Sequence, residues 1–446
     1  MEANIPLQGA NSYSAGRMPV SYRWVVGGFA LSLALVLLAL VDLRRAFLFD
    51  HYPWKTLYCS LSPWHLGILA VGIGGAFLAH RALKVSEAKQ PARSLDRYVK
   101  ALTLVIFCLF VADLFTYRGV AASRAAEAGK LSTGWMDAYG VTGWLKPLAL
   151  AASYQLTVWH ATFLGIMLAG LALTVLPRYL KPFMTRGGLG GSLFGAAFAL
   201  PQPFCSCCAS VITPSLVGQG ASRQFAMAFV VGSPMLNLTA LILAAVLLPP
   251  SYALLRIAAG LILTIPVTYA VARIASRWQR SAGWTPRSRW AQIGYGWMNS
   301  YCQLFHVDEL MKERRTDTPA AFIASWLSVS KRIALLMVPT LFILSVVTSA
   351  IIQVLPTAFG NNLPSVVIAA IAGTLLMVST WTEIPVAQQM LQAGFSGPAA
   401  VMLVVLPPVS LPCLMLLGGA LANARVVGLL GLAVAAIGLV AGVAFL

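Results

Sequence analysis

Nine apolar runs constrain the fold before anything else, at 24–42, 64–81, 101–117, 156–177, 223–248, 252–272, 333–355, 396–418 and 426–446. Each is long enough to cross the roughly 30 Å hydrocarbon core of a bilayer as a helix, which satisfies its backbone groups within itself. A soluble globule is excluded, because 59% of the 446 residues are hydrophobic and only 10% are charged, too few to clothe a water-facing surface. The expected fold is an all-α polytopic membrane protein with about nine full spans. Arg17 and Arg23 precede the first run and "DLRRAF" follows it without a small-residue cleavage site, which reads as an uncleaved span and not a signal peptide.

Lys and Arg number 31 against 13 Asp and Glu, a formal charge of +18, yet they gather in short stretches between the apolar runs. Basic loops of this kind hold the cytoplasmic side of a membrane protein, so the balance reads as topology and not as nucleic-acid affinity. Residues 81–100 carry Arg81, Lys84, Lys89, Arg93, Arg97 and Lys100, and residues 273–332 carry ten Lys/Arg against four Asp/Glu. Both segments are expected in the cytoplasm.

Two further apolar stretches, 188–220 and 365–394, are interrupted by Pro, Gly and polar residues, as broken or re-entrant elements are. A full crossing at 188–220 would place the basic segment 273–332 outside; re-entry from the cytoplasmic side keeps it inside. The same parity brings 365–394 in from the outer face, with Arg425 inside and "AFGNN" outside. The expected protein is thus multi-pass in the cell (inner) membrane, N-terminus cytoplasmic and C-terminus outside.

Each interrupted element sits in the same local order of span, broken element, span, span, and the second series starts from the opposite face. That is an inverted-topology repeat. "GASRQFAMAFVVGSPMLNL" (220–238) and "GFSGPAAVMLVVLPPVSLP" (394–412) share a Gly start, a Ser two residues on, an apolar helix and a Pro-containing break. Residues 151–276 then form the first repeat and 332–446 the second. Residues 1–150 form an accessory transmembrane module with an outer amphipathic stretch at 118–140, in which Asp113 is expected near water at a helix end. Residues 277–331 form a basic cytoplasmic loop whose "RWQRSAGWTPRSRW" suits the lipid headgroup interface.

Three constellations could carry chemistry. In "PQPFCSCCASVITP" (201–214), prolines at Pro201, Pro203 and Pro214 interrupt a helix around Cys205, Cys207 and Cys208. Irregular backbone survives at membrane depth only against protein or a water-filled cavity, so the thiols would line a site. Soft sulfur selects thiophilic species such as Cu(I) and trivalent arsenic, although buried cysteine also packs as a small hydrophobe. The seven cysteines (59, 108, 205, 207, 208, 302 and 413) are too scattered for a disulfide framework, and no second ligand set follows for structural zinc.

In "VGSPMLN" (231–237), Pro234 breaks a helix where Ser233 and Asn237 offer side-chain dipoles. Pro407 and Ser410 keep the same interval in the second repeat. In "STWTEIP" (379–385), Glu383 is the only charged residue among the 92 positions from 333 to 424. An ionisable group at that depth reads as functional, able to couple a proton to substrate. Pro385 breaks this element, and Gln388 and Gln389 could meet polar substrate groups. His160 reads as an interfacial histidine near the outer end of its span.

"PFCSCCASVITPSLVGQGASRQFAMAFVVGSPMLN" (203–237) resembles the signature of the ArsP-like predicted permeases, the organoarsenical efflux permease family, over about 151–446. The resemblance implies a secondary transporter that exports trivalent organoarsenicals, with Cys205 and Cys207 at the family's two thiols and Ser233, Pro234 and Asn237 at its break. Cys208 stands where the family usually has a small residue, and Ser410 where the second repeat often has Asn. The expected partners are a small-molecule substrate and the lipid bilayer, with no nucleic acid and no cofactor. A membrane thiol:disulfide oxidoreductase would need a second cysteine pair to relay electrons; a permease for another soft metal or sulfur species stays open, and an assembly anchor would have no use for two broken elements.

Overall fold

The computed structural model describes residues 20–45, 62–88, 95–128, 141–179, 181–200, 204, 206–277, 316–354, 360–376, 383–421 and 424–446, with the single residues 296, 300 and 303. Every regular element among them is helical. Eight segments among the described residues are long and apolar enough to cross a membrane. Large apolar side chains such as Leu31, Ile73, Leu104, Leu254 and Ile371 face outward, as a lipid-facing surface requires. Trp24 and Trp64 are exposed on the first turns of α1 (Val20–Arg45) and α2 (Pro63–Glu87), where an amphipathic ring suits the headgroup level.

The first three helices are α1, α2 and α3 (Asp96–Ala128). The first two are tied through His65, whose Nδ1 meets Ser62 N at 3.2 Å and whose Nε2 lies 2.9 Å from Asp42 Oδ2. Glu87, at the end of α2, accepts the Ala320 N–H on both carboxylate oxygens (3.0 and 3.2 Å) and the Tyr22 hydroxyl at 2.9 Å. A carboxylate at the start of a helix satisfies an orphan N–H and complements the helix dipole. Glu87 thereby ties α1 and α2 to the start of α12 (Pro319–Val354). The start of α12 also turns the last part of the expected loop 277–331 into helix; most of the rest of that loop lies outside the described residues.

The remainder is two series of helices. The first comprises α4 (Lys146–Tyr179), the single turn α5 (Lys181–Met184), α6 (Gly188–Ala199), α7 (Ser206–Gly218), α8 (Arg223–Met235), α9 (Leu238–Leu247) and α10 (Pro250–Ile262), which continues through a π turn at Leu263–Val267 into α11 (Thr268–Arg277). The π turn holds Pro266, whose missing N–H displaces the helical ladder. The second comprises α12, α13 (Leu363–Leu375), α14 (Glu383–Gln392), α15 (Ser396–Val405), α16 (Leu411–Leu421) and α17 (Ala424–Ala444).

Apart from α5, and with α10 and α11 taken as one continuous helix, the two series match element for element. Their hairpin turns match bond for bond: Gly220 N donates to Val217 O and Ala221 N to Leu216 O, while Gly394 N donates to Leu391 O and Phe395 N to Met390 O. Both turns place glycine in the left-handed region, at φ +92° and +83°, the helix-ending motif that only glycine adopts without strain. Packing matches too. α6 lies on α8 as α13 lies on α15, and α7 on α8 as α14 on α15. Across the series, α7 lies on α16 as α14 lies on α9, and α4 lies along α12.

Four sequence expectations need correction. The run 396–418 is not one span: Pro407 and Pro408, in the turn at 406–408, remove two consecutive N–H donors and divide it into α15 and α16. Pro214 does not end its element but lies inside α7, where the Thr213 hydroxyl donates to Ala209 O at 2.8 Å; Ser/Thr hydroxyls and neighbouring helices make intrahelical proline tolerable at membrane depth. Pro385 sits in the first turn of α14, where the missing N–H has no helical partner to lose. The expected surface stretch 118–140 is helical as far as Ala128, and its Arg118 is buried. Pro203 lies outside the described residues.

Candidate substrate site

The break between α8 and α9 is where buried polar groups concentrate. α8 stops one residue after Pro234, and Asn237 caps α9: its Oδ1 accepts from Thr239 N (3.0 Å), Ala240 N (3.2 Å) and the Thr239 hydroxyl (2.6 Å). Arg118 of α3 donates from Nη1 to Thr239 Oγ1 at 2.8 Å and to Asn237 Oδ1 at 3.4 Å. Asn237 is 2% exposed, and its Nδ2 has no partner among the described residues.

A second guanidinium closes the other side of the break. Arg256, on α10, donates from Nη2 to Pro234 O at 2.9 Å and to Glu383 Oε1 at 3.0 Å, and its Nη1 meets Met235 Sδ. In an unbroken helix the Pro234 carbonyl would accept from the N–H four residues on; the break frees it and Arg256 takes it up. Both Arg256 and Glu383 are fully buried. A buried charge is tolerated where it is paired and its remaining groups are bonded. Glu383 therefore faces a cation and is not the solitary carboxyl that the sequence suggests.

The second series repeats the arrangement in a less polar form. Ser410 is fully buried and caps α16, its Oγ accepting from Cys413 N at 3.4 Å and its carbonyl from Leu414 N at 2.8 Å. Asn237 and Ser410 thus hold corresponding places, each at the N-terminus of the half-helix after a proline break. Ser233 is buried, but its hydroxyl is committed to Phe229 O at 2.7 Å. Gln388 is half-buried on α14.

Cys207 and Cys208 fall in the first turn of α7, and Cys205 lies outside the described residues. α7 packs against α16, so the thiol-bearing helix of the first series meets the half-helix that Ser410 caps in the second. Two groupings result: Arg118, Asn237, Arg256 and Glu383 at the α8–α9 break, and the α7–α16 contact. Among the described residues no group of three or more His, Cys, Asp and Glu could hold a metal ion.

His160 and Asp113 are buried mid-helix, with His160 Nε2 at 3.0 Å from Asp113 Oδ1. They pin α3 to α4, which corrects the expectation of an interfacial histidine and a water-facing aspartate.

Sequence reasoning passed over both arginines. Arg256 is the only charged residue from 224 to 272, and the argument that singled out Glu383 applies equally to it. Arg118 falls one position past the end of the third apolar run, where hydropathy alone assigns it to water.

Residues 144–445 match the predicted permease family. The chain belongs to that family. Among its relatives is the UPF0718 protein YraQ of Escherichia coli (strain K12), 30% identical over 331 residues that cover 72% of this chain and 87% of the relative. The UPF0718 protein MJ0584 of Methanocaldococcus jannaschii is 28% identical over 119 residues, 25% of this chain and 33% of the relative. No solved structure matches this permease significantly. The family match takes in both helical series and leaves out α1–α3, so Asn237, Arg256 and Glu383 lie within it and Arg118 outside.

Proposed function

We propose that this permease is a secondary transporter that exports a small thiophilic solute, a trivalent (organo)arsenical first among them, through a midplane site lined by Cys205, Cys207 and Cys208. In this reading 151–276 and 332–446 are inverted repeats that rock against each other, with α1–α3 as an accessory module. The site binds by ligand exchange: each As–OH bond gives way to an As–S bond with release of water, arsenic stays trivalent, and hydrolysis reverses the step on the far side. No electron transfer occurs, and hydrolysis returns the thiols unchanged.

The observation that carries the reading is the crosswise packing of α7 on α16 and of α14 on α9. Each interrupted element meets a half-helix of the other series, which is how discontinuous helices enclose a midplane site between repeats. The ion pair between Arg256 and Glu383 adds a polar joint between the series at the same break.

Flux into everted membrane vesicles tests it. Vesicles bearing the wild-type chain should accumulate methylarsonous acid faster than vesicles without it, and Cys205→Ser and Cys207→Ser should abolish the excess. Equal accumulation with and without the serine variants would overturn the thiol site.

A further inference from the structure

We infer that the buried Asp113–His160 pair, between α3 and α4, is a proton-binding site that couples transport to the proton gradient. The inference rests on the thiophilic-solute reading only for the solute that the proton is exchanged against.

Four carboxylates are buried among the described residues: Asp42, Glu87, Asp113 and Glu383. Three of them are closed. Glu383 pairs with Arg256, and a guanidinium does not give up its proton. Glu87 accepts from the Tyr22 hydroxyl and the Ala320 N–H. Asp42 meets Nε2 of His65, whose Nδ1 already accepts the N–H of Ser62, and the bond at one ring nitrogen fixes which nitrogen carries the proton.

The fourth follows the same His–Asp plan with its far ends open. His160 Nε2 lies 3.0 Å from Asp113 Oδ1, with the side chains 0% and 4% exposed. Neither His160 Nδ1 nor Asp113 Oδ2 has a partner among the described residues. With the ring proton shared toward Oδ1, both of these atoms are acceptors that lack a donor, and one proton on either changes the charge of the pair without breaking a bond. Ionisable pairs at membrane depth are the groups from which transporters build proton relays.

The surroundings connect the pair to the transport site. From α3 come Tyr117, whose ring lies 5.0 Å from that of His160, and Arg118; from α1 comes Arg44, 5.8 Å from the Tyr117 ring centroid. α4 itself carries Tyr154 and, at its start, Lys146, and α5 carries Lys181 beyond its far end. On α12, Lys331 and Arg332 follow Ser330, which packs on Gly170 about three turns further along α4. α4 also packs on α7, whose first turn carries Cys207 and Cys208, and α3 packs on α9, which has no titratable residue. Arg118, about 7.5 Å beyond Asp113 along α3, bonds Thr239 and Asn237 at the α8–α9 break. Both helices that hold the pair therefore border the site.

The solute-loaded carrier crosses without the proton, and the empty carrier returns with the pair protonated. One solute leaves as one proton enters, and the N–H or O–H bond at the pair is the only bond that this coupling makes and breaks. His160 falls within the family match at 144–445 and Asp113 before it, so the N-terminal helices supply half of the coupling site.

The test uses full-length protein in proteoliposomes, with methylarsonous acid as the solute. In wild type, an interior one pH unit more acidic than the outside should raise steady-state accumulation up to about tenfold, the limit for one proton per solute. His160→Gln and Asp113→Asn should each abolish that rise yet keep the exchange of labelled for unlabelled solute at equal pH, a separation that a mere brace between α3 and α4 would not produce. Deuterium exchange at the histidine C2 position, read by peptide mass spectrometry, needs no solute: its rate at His160 should change with pH, with His65, closed by Ser62, as the comparison. If wild type moves no arsenical but His160 responds to pH, the thiol reading fails and the proton site stands. The assignment is wrong if the rate at His160 is independent of pH, or if wild type moves the arsenical but ignores the gradient. It is equally wrong if the variants follow the gradient as wild type does, or lose equal-pH exchange along with the gradient response.

Discussion

Arg256 Nη2 and Glu383 Oε1, 127 positions apart in the chain, lie 3.0 Å from each other with both side chains fully buried. The same guanidinium nitrogen also bonds the carbonyl of Pro234. One side chain therefore joins the proline break of the first helical series to the start of α14 in the second.

Removing one member of that pair leaves the other as an unmatched buried charge. Arg256→Leu or Glu383→Leu should each cost about 3–5 kcal/mol of stability, whereas the double replacement Arg256→Leu with Glu383→Leu should cost much less than the sum. Unfolding of the detergent-solubilised protein, analysed as a double-mutant cycle, measures the coupling. Additive losses would show that the pair contributes nothing as a pair.

Asn237 holds two backbone N–H groups of α9 as well as the Thr239 hydroxyl. Asn237→Ala should destabilise by about 1 kcal/mol as a lost helix cap and should also weaken transport, since Arg118 loses an acceptor with it. Asn237→Ser should recover most of the stability. Thermal unfolding and vesicle flux on the same preparations separate the two effects.

Close approach of α6 to α8 depends on Gly195, where an added methyl would meet Phe225 O at 2.5 Å and Ala228 Cβ at 2.9 Å. Gly195→Ala should destabilise by about 1–3 kcal/mol through overpacking. Gly190→Ala, on the same helix with nothing within 4 Å of the new methyl, should be neutral or slightly stabilising. Comparing their unfolding midpoints checks that the contact, and not helix propensity, sets the cost.

Hydropathy and proline placement made much of this fold legible, because a bilayer leaves the backbone few options. The matching series could be read from two short segments around Gly220 and Gly394 since both require the same left-handed turn. What the sequence hid were partnerships. Glu383 stood out as a lone charge, but nothing local pairs it with Arg256, and Arg118 reads as part of an outer amphipathic stretch because it falls one position past the end of the third apolar run. Proline misled in the opposite direction: Pro214 and Pro385 signalled breaks, yet one sits within a helix and the other in a first turn, where the context decides whether the missing N–H matters.

Substrate protection of the thiols tests the central claim most directly. Full-length permease in native vesicles is labelled with N-ethylmaleimide, with and without methylarsonous acid, and modification is read at each cysteine by peptide mass spectrometry. Cys108, exposed on α3, is the internal control. The account predicts that the arsenical suppresses labelling of Cys205 and Cys207 and leaves Cys108 unchanged; equal labelling of Cys205 and Cys207 with and without it would contradict a thiol-lined substrate site.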